Sequence, residues 1–399
     1  MRLAVINGPN LNLLGVREPD IYGPTTLPEL DALVARWGHE LGVDVETFQS
    51  NHEGDLIDHL HSLRSRVDGV VINPGALTHY SYALHDAIEA VDLPTVEVHI
   101  SNIHARERWR RISVVAPACD HTIYGRGIDG YRWAIRRLVN QAAADARIVP
   151  YGDGPDRIAE LRIPAGSGPH RVAVVVHGGF WRGPWSRDTT DAAAIALCEA
   201  GWATWNIEYH RVGQGGGWPV TFVDVATAID RLADLDAPID PTRVVVVGHS
   251  AGGHLALWAA ARHRLPSGVP GAEPAVRPAA AVGLAPVADL TMAHRLDLGD
   301  GAVEDLLRRA PAEGRDRYDV TDPARLLPLG VPVAIVHGAD DDVVPPSVSS
   351  AFADAATAAG DVVDLTIVDG AGHMDLIEPS GEAWPSVMRS LELSLRRGA

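Results

Sequence analysis

Short apolar runs alternate with longer amphipathic stretches through the first part of the chain. Four runs have the length and composition of buried strands: 3–6, 43–49, 69–72 and 95–98. The stretches that have the spacing of amphipathic helices are 27–41, 55–66, 82–90 and 130–140. The repeated order of strand, helix and strand predicts a parallel sheet covered on both faces, which is a small doubly wound α/β domain.

A second series of apolar runs begins at Tyr151. Its clearest strands are 172–176, 244–247, 279–284 and 331–336, and helical stretches separate them. The pattern again predicts an α/β domain. We therefore expect a first domain at 1–143, a linker at 144–150 and a second domain at 151–399. A chain of 399 residues is long enough to bury two hydrophobic cores.

Composition narrows the classes of partner and compartment. The net charge of −18 would repel a phosphate backbone or an anionic membrane, and the basic side chains cluster only in a short run at 106–111. No apolar run approaches the ~20 residues of a membrane helix. The chain opens on a strand and turns polar at Asn7, without the apolar region of a signal peptide. We expect a cytoplasmic protein with no nucleic-acid or membrane partner.

The sequence contains no lysine, so arginine supplies all 34 Lys and Arg side chains. This excludes Schiff-base catalysis and pyridoxal-phosphate attachment, which need a lysine amine, and also a Walker A phosphate loop. Cys119 and Cys198 fall in different halves and lack metal-ligand spacing, so we expect reduced thiols and no metal site.

Polar side chains follow the predicted strands of the first half. They are Asn10, Arg17, Tyr22, Asn73, His79, His99, Ser101 and Arg110. Because ligands of open α/β sheets bind at the carboxyl ends of the strands, these groups should converge on one pocket. Taken singly, each has a structural alternative: Asn-Gly-Pro-Asn is ordinary turn chemistry, and a histidine after a strand is often structural.

Taken together and in this order, these segments resemble the type II 3-dehydroquinate dehydratases over residues 1 to 143. The matching motifs are Asn7-Gly8-Pro9-Asn10-Leu11, Gly15-Val16-Arg17-Glu18-Pro19, Tyr22-Gly23, Asn73-Pro74-Gly75 and Glu97-Val98-His99-Ile100-Ser101-Asn102. The resemblance implies a flavodoxin-like sheet. It also implies anti elimination of water from 3-dehydroquinate through an enolate, without metal or organic cofactor.

The resemblance also implies a role for each matching residue. Tyr22 removes the C2 proton, and Arg17 on the same loop favours the phenolate that a base requires. A water held by Asn10 stabilises the enolate oxygen, and His99 gives a proton to the departing hydroxyl.

Substrate binding is implied by the same matches. Asn73, His79 and Arg110 would bind ring hydroxyls, and the backbone at Ile100 and Ser101 would hold the carboxylate with the Asn73 side chain. Asp86 matches a residue that family members contribute across a subunit boundary, in trimers that form a dodecamer. We therefore expect a homo-oligomer. One departure is Ile112, where family members usually have a basic residue or histidine.

The second half contains Gly248-His249-Ser250-Ala251-Gly252 between an apolar strand and an apolar helix. This is the context that a nucleophile elbow requires. Asp341 follows a later strand and His373 comes after it, in the chain order serine, acid, histidine. Asp340 and Asp342 are rivals for the acid, and Asp341 is preferred because its spacing to Val344-Pro345 matches the pattern of the α/β-hydrolases that this half resembles.

Upstream, His177-Gly178-Gly179-Phe180-Trp181 follows a strand. Backbone N–H groups of Gly179, Phe180 and Ala251 would form an oxyanion hole. This half resembles the esterase and lipase branch of α/β-hydrolases, and its His-Gly-Gly-Phe-Trp is similar to members like kynurenine formamidase. Five tryptophans, Trp181, Trp185, Trp202, Trp205 and Trp218, are candidates either for an aromatic pocket or for the core. His254 is expected to pack in the helix.

Three hypotheses follow. The first is a bifunctional enzyme that dehydrates 3-dehydroquinate and hydrolyses an ester or amide of unknown identity. The second is an active dehydratase whose hydrolase-like half serves only binding or oligomerisation. The third, a nucleotide-binding module in the first half, is disfavoured because the loop at 7–14 lacks Gly-rich phosphate spacing.

Overall fold

The computed structural model describes residues 1–103, 106–110, 112–142 and 146–398. These fold into two compact units, residues 1–143 and 144–399. The strands of the first unit are β1 (Arg2–Asn7), β2 (Asp44–Gln49), β3 (Gly69–Asn73), β4 (Thr95–His99) and β5 (His121–Tyr124). Its helices are α1 (Pro19–Tyr22), α2 (Leu27–Glu40), α3 (Glu53–Leu63), α4 (Tyr82–Val91) and α5 (Asp129–Ala142).

The strands of the first unit form one parallel sheet in the order β2-β1-β3-β4-β5. Because side chains alternate between the faces of a strand, Leu3 and Val5 join a core with residues of α2 and α5. Ala4 and Ile6 join a second core with residues of α3 and α4. The sheet is therefore covered on both faces, and its strand order is that of the flavodoxin-like fold.

The second unit contains an eight-stranded sheet in the order β13-β12-β11-β10-β8-β9-β7-β6. Its strands are β6 (Ala146–Pro150), β7 (Ile158–Arg162), β8 (His170–Val176), β9 (Ala203–Ile207), β10 (Ile239–His249), β11 (Ala280–Leu284), β12 (Val333–Gly338) and β13 (Val363–Val368). Its helices are α6 (Asp191–Glu199), α7 (Val220–Asp230), α8 (Ala251–Ala261), α9 (Leu290–Arg295), α10 (Ala302–Leu307), α11 (Arg315–Thr321), α12 (Pro346–Ala358) and α13 (Trp384–Gly398).

Along the sheet, the strands β9, β8, β10, β11, β12 and β13 each pair parallel with the next. Strand β7 pairs antiparallel with both β6 and β9. Helix α8 is buried at every position, which matches its uniformly apolar sequence. It packs against the central strands of the sheet. Ser250, the residue just before α8, lies at the carboxyl end of β10.

The two α/β folds predicted from the sequence are confirmed. The expected linker at 144–150 is corrected in part, because Ala146–Pro150 is strand β6 at the edge of the second sheet, while residues 144 and 145 lie outside the described residues. Four of its five residues are exposed, so the segment lacks the apolar run that predicts a buried strand. In the described part of the chain, no helix combines the length and the apolarity needed to cross a bilayer.

Helix α2 begins with a reciprocal capping box. The Thr26 backbone N–H donates to Glu29 Oε2 over 2.8 Å, and the Thr26 side chain accepts from the backbone of Glu29. The hydrogen bonds with Thr26 hold the pKa of the Glu29 carboxyl below its usual range. These contacts satisfy N–H groups that the first turn would otherwise leave unpaired.

Replacing Thr26 by alanine should lower the free energy of unfolding of the first unit by about 1 kcal/mol, because the cap is lost. Urea unfolding followed by a probe in the first unit measures this. Thr25→Ala is the matched control, and an equal loss in both variants would contradict the capping assignment.

Candidate active sites

A cavity lies at the carboxyl edge of the first sheet. Nine of the site residues predicted from the sequence line this cavity: Asn10, Arg17, Tyr22, Asn73, His79, His99, Ile100, Ser101 and Arg110. Arg106 and Ile103 also line it and were not predicted. The strand ends that supply Asn73 and His99 are neighbours in the sheet, so chain topology explains their convergence. Asp86 is exposed on α4 and does not line this cavity.

Two guanidinium groups lie beside the Tyr22 phenol. The Arg17 guanidinium carbon is 4.8 Å from the centre of the Tyr22 ring, and Arg106 Nη1 donates to the Tyr22 hydroxyl over 3.3 Å. The hydrogen bond with Tyr22 raises the pKa of Arg106 above its usual value. Arg106 also reaches Ser101 Oγ over 3.4 Å. In the sequence Arg106 is only part of a basic run, since nothing in its spacing indicates a contact with Tyr22.

His99 is held by a buried carboxylate, Glu97, that was not among the predicted site residues. His99 Nε2 lies 2.9 Å from Glu97 Oε1, and the Glu97 side chain is fully buried. Thr78 and Ser113 donate hydroxyl hydrogen bonds to the same carboxylate. Alternation along β4 places residues 97 and 99 on one face, which is the signal that could have linked them.

His79 and Arg110 lie on another wall of the cavity. His79 Nδ1 is 2.8 Å from the Ile112 carbonyl, a backbone contact that does not use the side chain at residue 112. Burial lowers the pKa of His79, and the neighbouring His99 and Arg110 charges act in the same direction. Arg110 stacks on Trp109, with 4.0 Å between the guanidinium carbon and the ring centre.

Asn10 occupies a left-handed backbone conformation with φ 68°, which asparagine tolerates better than most residues. Its backbone N–H donates to Asn51 Oδ1 over 2.8 Å, so the loop after β1 is tied to the loop after β2. Among the described residues, one group has carboxylate and imidazole atoms close enough to hold a metal ion: His85, Asp86 and Glu89 on α4. That group lies outside the cavity.

A second cavity lies at the carboxyl edge of the second sheet, beside Ser250. Ser250 has φ 57° and ψ −118°, a strained conformation at the turn from β10 into α8. Only glycine fits at position 252 beside this turn, because a Cβ there would lie 2.1 Å from the Val176 carbonyl oxygen. Ser250, His373, Gly179 and Phe180 all line this cavity.

Asp341 and His373 form the other part of this constellation. Asp341 Oδ2 is 2.7 Å from His373 Nδ1, and Oδ1 accepts backbone N–H groups of Val343 and Val344 over 2.9 Å. The rivals Asp340 and Asp342 are exposed. Burial opposes ionisation of Asp341, but hydrogen bonds from His337 and His373 outweigh it and bring its pKa far below the usual value.

His337 was not predicted from the sequence, although it is fully buried and its Nε2 lies 3.1 Å from Asp341 Oδ2. Among the described residues, no hydrogen bond joins Ser250 Oγ to the His373 ring. Such bonds are often long in ligand-free sites and shorten when substrate binds.

The predicted oxyanion loop is fixed from both sides. His177 Nε2 lies 2.9 Å from Glu208 Oε1, and the Trp181 indole N–H donates to the Ala251 carbonyl over 3.1 Å. Burial disfavours the Glu208 charge, yet Arg211 and His177 lower its pKa to about 2. Gly178 lies against the nucleophile turn, since a Cβ there would be 3.0 Å from Ser250 Cβ.

The five tryptophans have different roles. Trp181, Trp202 and Trp205 are fully buried in the core, and Trp218 packs against its edge. Trp185 alone of the five lines the cavity beside Ser250. His254 is buried, with Nε2 2.9 Å from the Thr321 carbonyl, so it packs in α8 as expected.

Known families match each unit separately. The model of the family "Dehydroquinase class II" matches residues 1–139, and the model of the family "BD-FAE" matches residues 161–355. The 3-dehydroquinate dehydratase of Caldicellulosiruptor saccharolyticus is 56% identical over 138 residues, which are 34% of this chain and 95% of that protein. The same-named protein of Thermotoga maritima is 56% identical over 138 residues, 35% of this chain and 94% of that protein.

Solved structures resemble the second unit. A truncated carbohydrate esterase from gut microbiota superposes with a TM-score of 0.53 at 19% identity, covering 62% of this chain and 95% of that one. An acetyl ester-xyloside bifunctional hydrolase from Caldicellulosiruptor lactoaceticus gives 0.50 at 22% identity, covering 63% and 94%. At these identities the likeness concerns the fold alone. Through its first unit this chain belongs to the type II dehydroquinase family, and its second unit has the α/β-hydrolase fold and matches the BD-FAE family model.

Proposed function

We propose that the chain is a bifunctional enzyme, a 3-dehydroquinate dehydratase joined to a serine hydrolase that cleaves an ester or amide. The observation that carries the first activity is the pair of guanidinium groups around the Tyr22 phenol in the cavity that also contains His99. The observation that carries the second is the contact of 2.7 Å between Asp341 and His373 beside the strained Ser250.

In the dehydratase reaction, the Tyr22 phenolate removes a C2 proton, and the electron pair moves toward the C3 carbonyl to give an enolate. The positive charges of Arg17 and Arg106 stabilise the phenolate before the transfer. A water bound by Asn10 stabilises the enolate oxygen.

The enolate then collapses, the C1–O bond breaks, and His99 gives its proton to the departing hydroxyl, which leaves as water. The product is 3-dehydroshikimate. The buried Glu97 carboxylate stabilises the positive charge of His99 before it donates and orients the ring. Asn73, His79 and Arg110 bind ring hydroxyls, and the backbone at Ile100 and Ser101 binds the carboxylate with Asn73. No step requires a metal or an organic cofactor.

In the hydrolase reaction, Ser250 Oγ attacks the acyl carbonyl while His373 takes its proton. Asp341 holds the His373 ring by its Nδ1–H and stabilises the imidazolium. Backbone N–H groups of Gly179, Phe180 and Ala251 stabilise the oxyanion. His373 then protonates the leaving group, and water releases the acyl group from Ser250 by the reverse proton transfers.

The alternative, a passive hydrolase-like unit, remains a second candidate. The specific observation that favours it is the missing hydrogen bond between Ser250 and His373 in the described chain. The strained Ser250 backbone and the buried Asp341 favour an active hydrolase instead. Strained backbone conformations and strongly shifted pKa values both cluster at functional sites. A cytoplasmic location and a trimer or dodecamer built by the first unit remain predictions.

Tyr22→Phe should lower the rate of dehydration at least about 10²-fold, because phenylalanine cannot accept the C2 proton. The absorbance of the conjugated enone formed from 3-dehydroquinate measures this. Cleavage of p-nitrophenyl acetate by the same variant serves as the control and should be unchanged. Loss of both activities would show that the two sites are not independent.

Ser250→Ala should lower p-nitrophenyl ester cleavage at least about 10³-fold, since the nucleophile is removed, and should leave dehydration at the wild-type rate. A fluorophosphonate probe that labels the wild-type chain should fail to label this variant. Labelling of an unrelated site with retained cleavage would remove Ser250 from the mechanism.

Asp341→Asn should lower the kcat of ester cleavage by about 10⁴-fold, because an amide favours the wrong His373 tautomer. Asp340→Asn and Asp342→Asn are matched controls, and each should stay within about twofold of the wild type, since exposed carboxylates contribute little. A comparable loss in either control would move the acid role away from Asp341.

A further inference from the structure

Three buried side chains form a hydrogen-bonded chain behind the cavity of the first unit. The Tyr131 hydroxyl lies 2.7 Å from Asn7 Oδ1 and 2.8 Å from Asn73 Nδ2. Tyr131 is fully buried, and Asn7 and Asn73 are 1% and 3% exposed. Only Asn73 lines the cavity, so the other two side chains act on the site through it.

The sheet register explains how the three residues meet. Asn7 and Asn73 are direct partners in the pairing of β1 with β3, so their side chains leave the same face of the sheet. Helix α5 covers that face and inserts the Tyr131 ring into the same core as Val5 and Val71. Burial raises the pKa of the Tyr131 hydroxyl, which therefore stays a neutral donor and acceptor.

The donors and acceptors fix which way the Asn73 amide faces. The Gly75 backbone N–H can only donate, and it lies 3.1 Å from Asn73 Oδ1. The Asn73 Nδ2 therefore faces Tyr131 and gives one of its two protons to the Tyr131 oxygen. Tyr131 must then donate its own proton to Asn7 Oδ1. The second N–H of Asn73 is left for a ligand in the cavity.

Asn7 contributes as an acceptor. Its Nδ2 is buried and makes no hydrogen bond within the described part of the chain. A buried amide with an unpaired donor destabilises the folded chain. We infer that the Asn7 amide is retained because its Oδ1 accepts the hydrogen bond from Tyr131.

We propose that Tyr131, with Asn7 behind it, is a positioning residue that locks the Asn73 amide so that its remaining N–H meets the carboxylate of the substrate. This inference rests on the proposed dehydratase activity. Because the locked amide contacts a part of the substrate that does not react, its loss weakens binding of the ground state and of the transition state equally.

The test is the steady-state kinetics of dehydration by the full chain carrying Tyr131→Phe. The expected result is a KM raised about tenfold with kcat within about threefold of the wild type, as expected for one hydrogen bond to a charged group. Leu138→Ala is the control, since Leu138 is buried on the same helix outside the hydrogen-bonded chain. It should lower the thermal midpoint without raising KM.

A double-mutant cycle with Asn73→Ala separates a positioning role from general destabilisation. Tyr131→Phe should change KM by less than about twofold when Asn73 is already alanine, because its effect passes through that amide. Should Tyr131→Phe fail to fold, Asn7→Leu provides the same test and should raise KM in the same direction.

An unchanged KM in Tyr131→Phe, an equal rise in Leu138→Ala, or full additivity with Asn73→Ala would overturn the inference while the dehydratase activity stands. A wild-type chain that does not dehydrate 3-dehydroquinate would instead overturn the proposed function itself.

Discussion

Parallel strand pairing is the constraint on which both candidate active sites depend. When neighbouring strands run in the same direction, all of their carboxyl ends reach one edge, and residues far apart in sequence meet there. In the first unit this brings Asn73 at the end of β3 beside His99 at the end of β4. In the second it brings Ser250 after β10 to the edge from which the loops carrying Asp341 and His373 extend.

The two sites use this edge for opposite electrostatic purposes. The first cavity gathers the guanidinium groups of Arg17, Arg106 and Arg110, which suits a substrate that carries a carboxylate and develops an enolate. The second cavity is lined mainly by apolar and aromatic groups, and the Asp341 carboxylate does not line it but contacts His373, which does. In an acidic chain without lysine, this local arrangement of arginine makes the first cavity attractive to an anion.

Much of this could be predicted from the sequence, because apolar runs and motifs are local signals. The central strands and Ser250, Asp341 and His373 were predicted in this way. Strands β5, β9 and β13 escaped because polar residues such as Asn206 and Asp364 interrupt them. Arg106, Glu97 and His337 escaped for another reason: their roles depend on contacts made only after folding, with Tyr22, His99 and Asp341 respectively.

We propose that a phenolate base at Tyr22 and an acid at His99 act on opposite faces of one substrate. The most direct measurement uses 3-dehydroquinate deuterated stereospecifically at C2 and follows the label into the product by mass spectrometry. If base and acid lie on opposite faces, the hydrogen that is trans to the departing hydroxyl is lost and the other is retained. Loss of the cis hydrogen would contradict it.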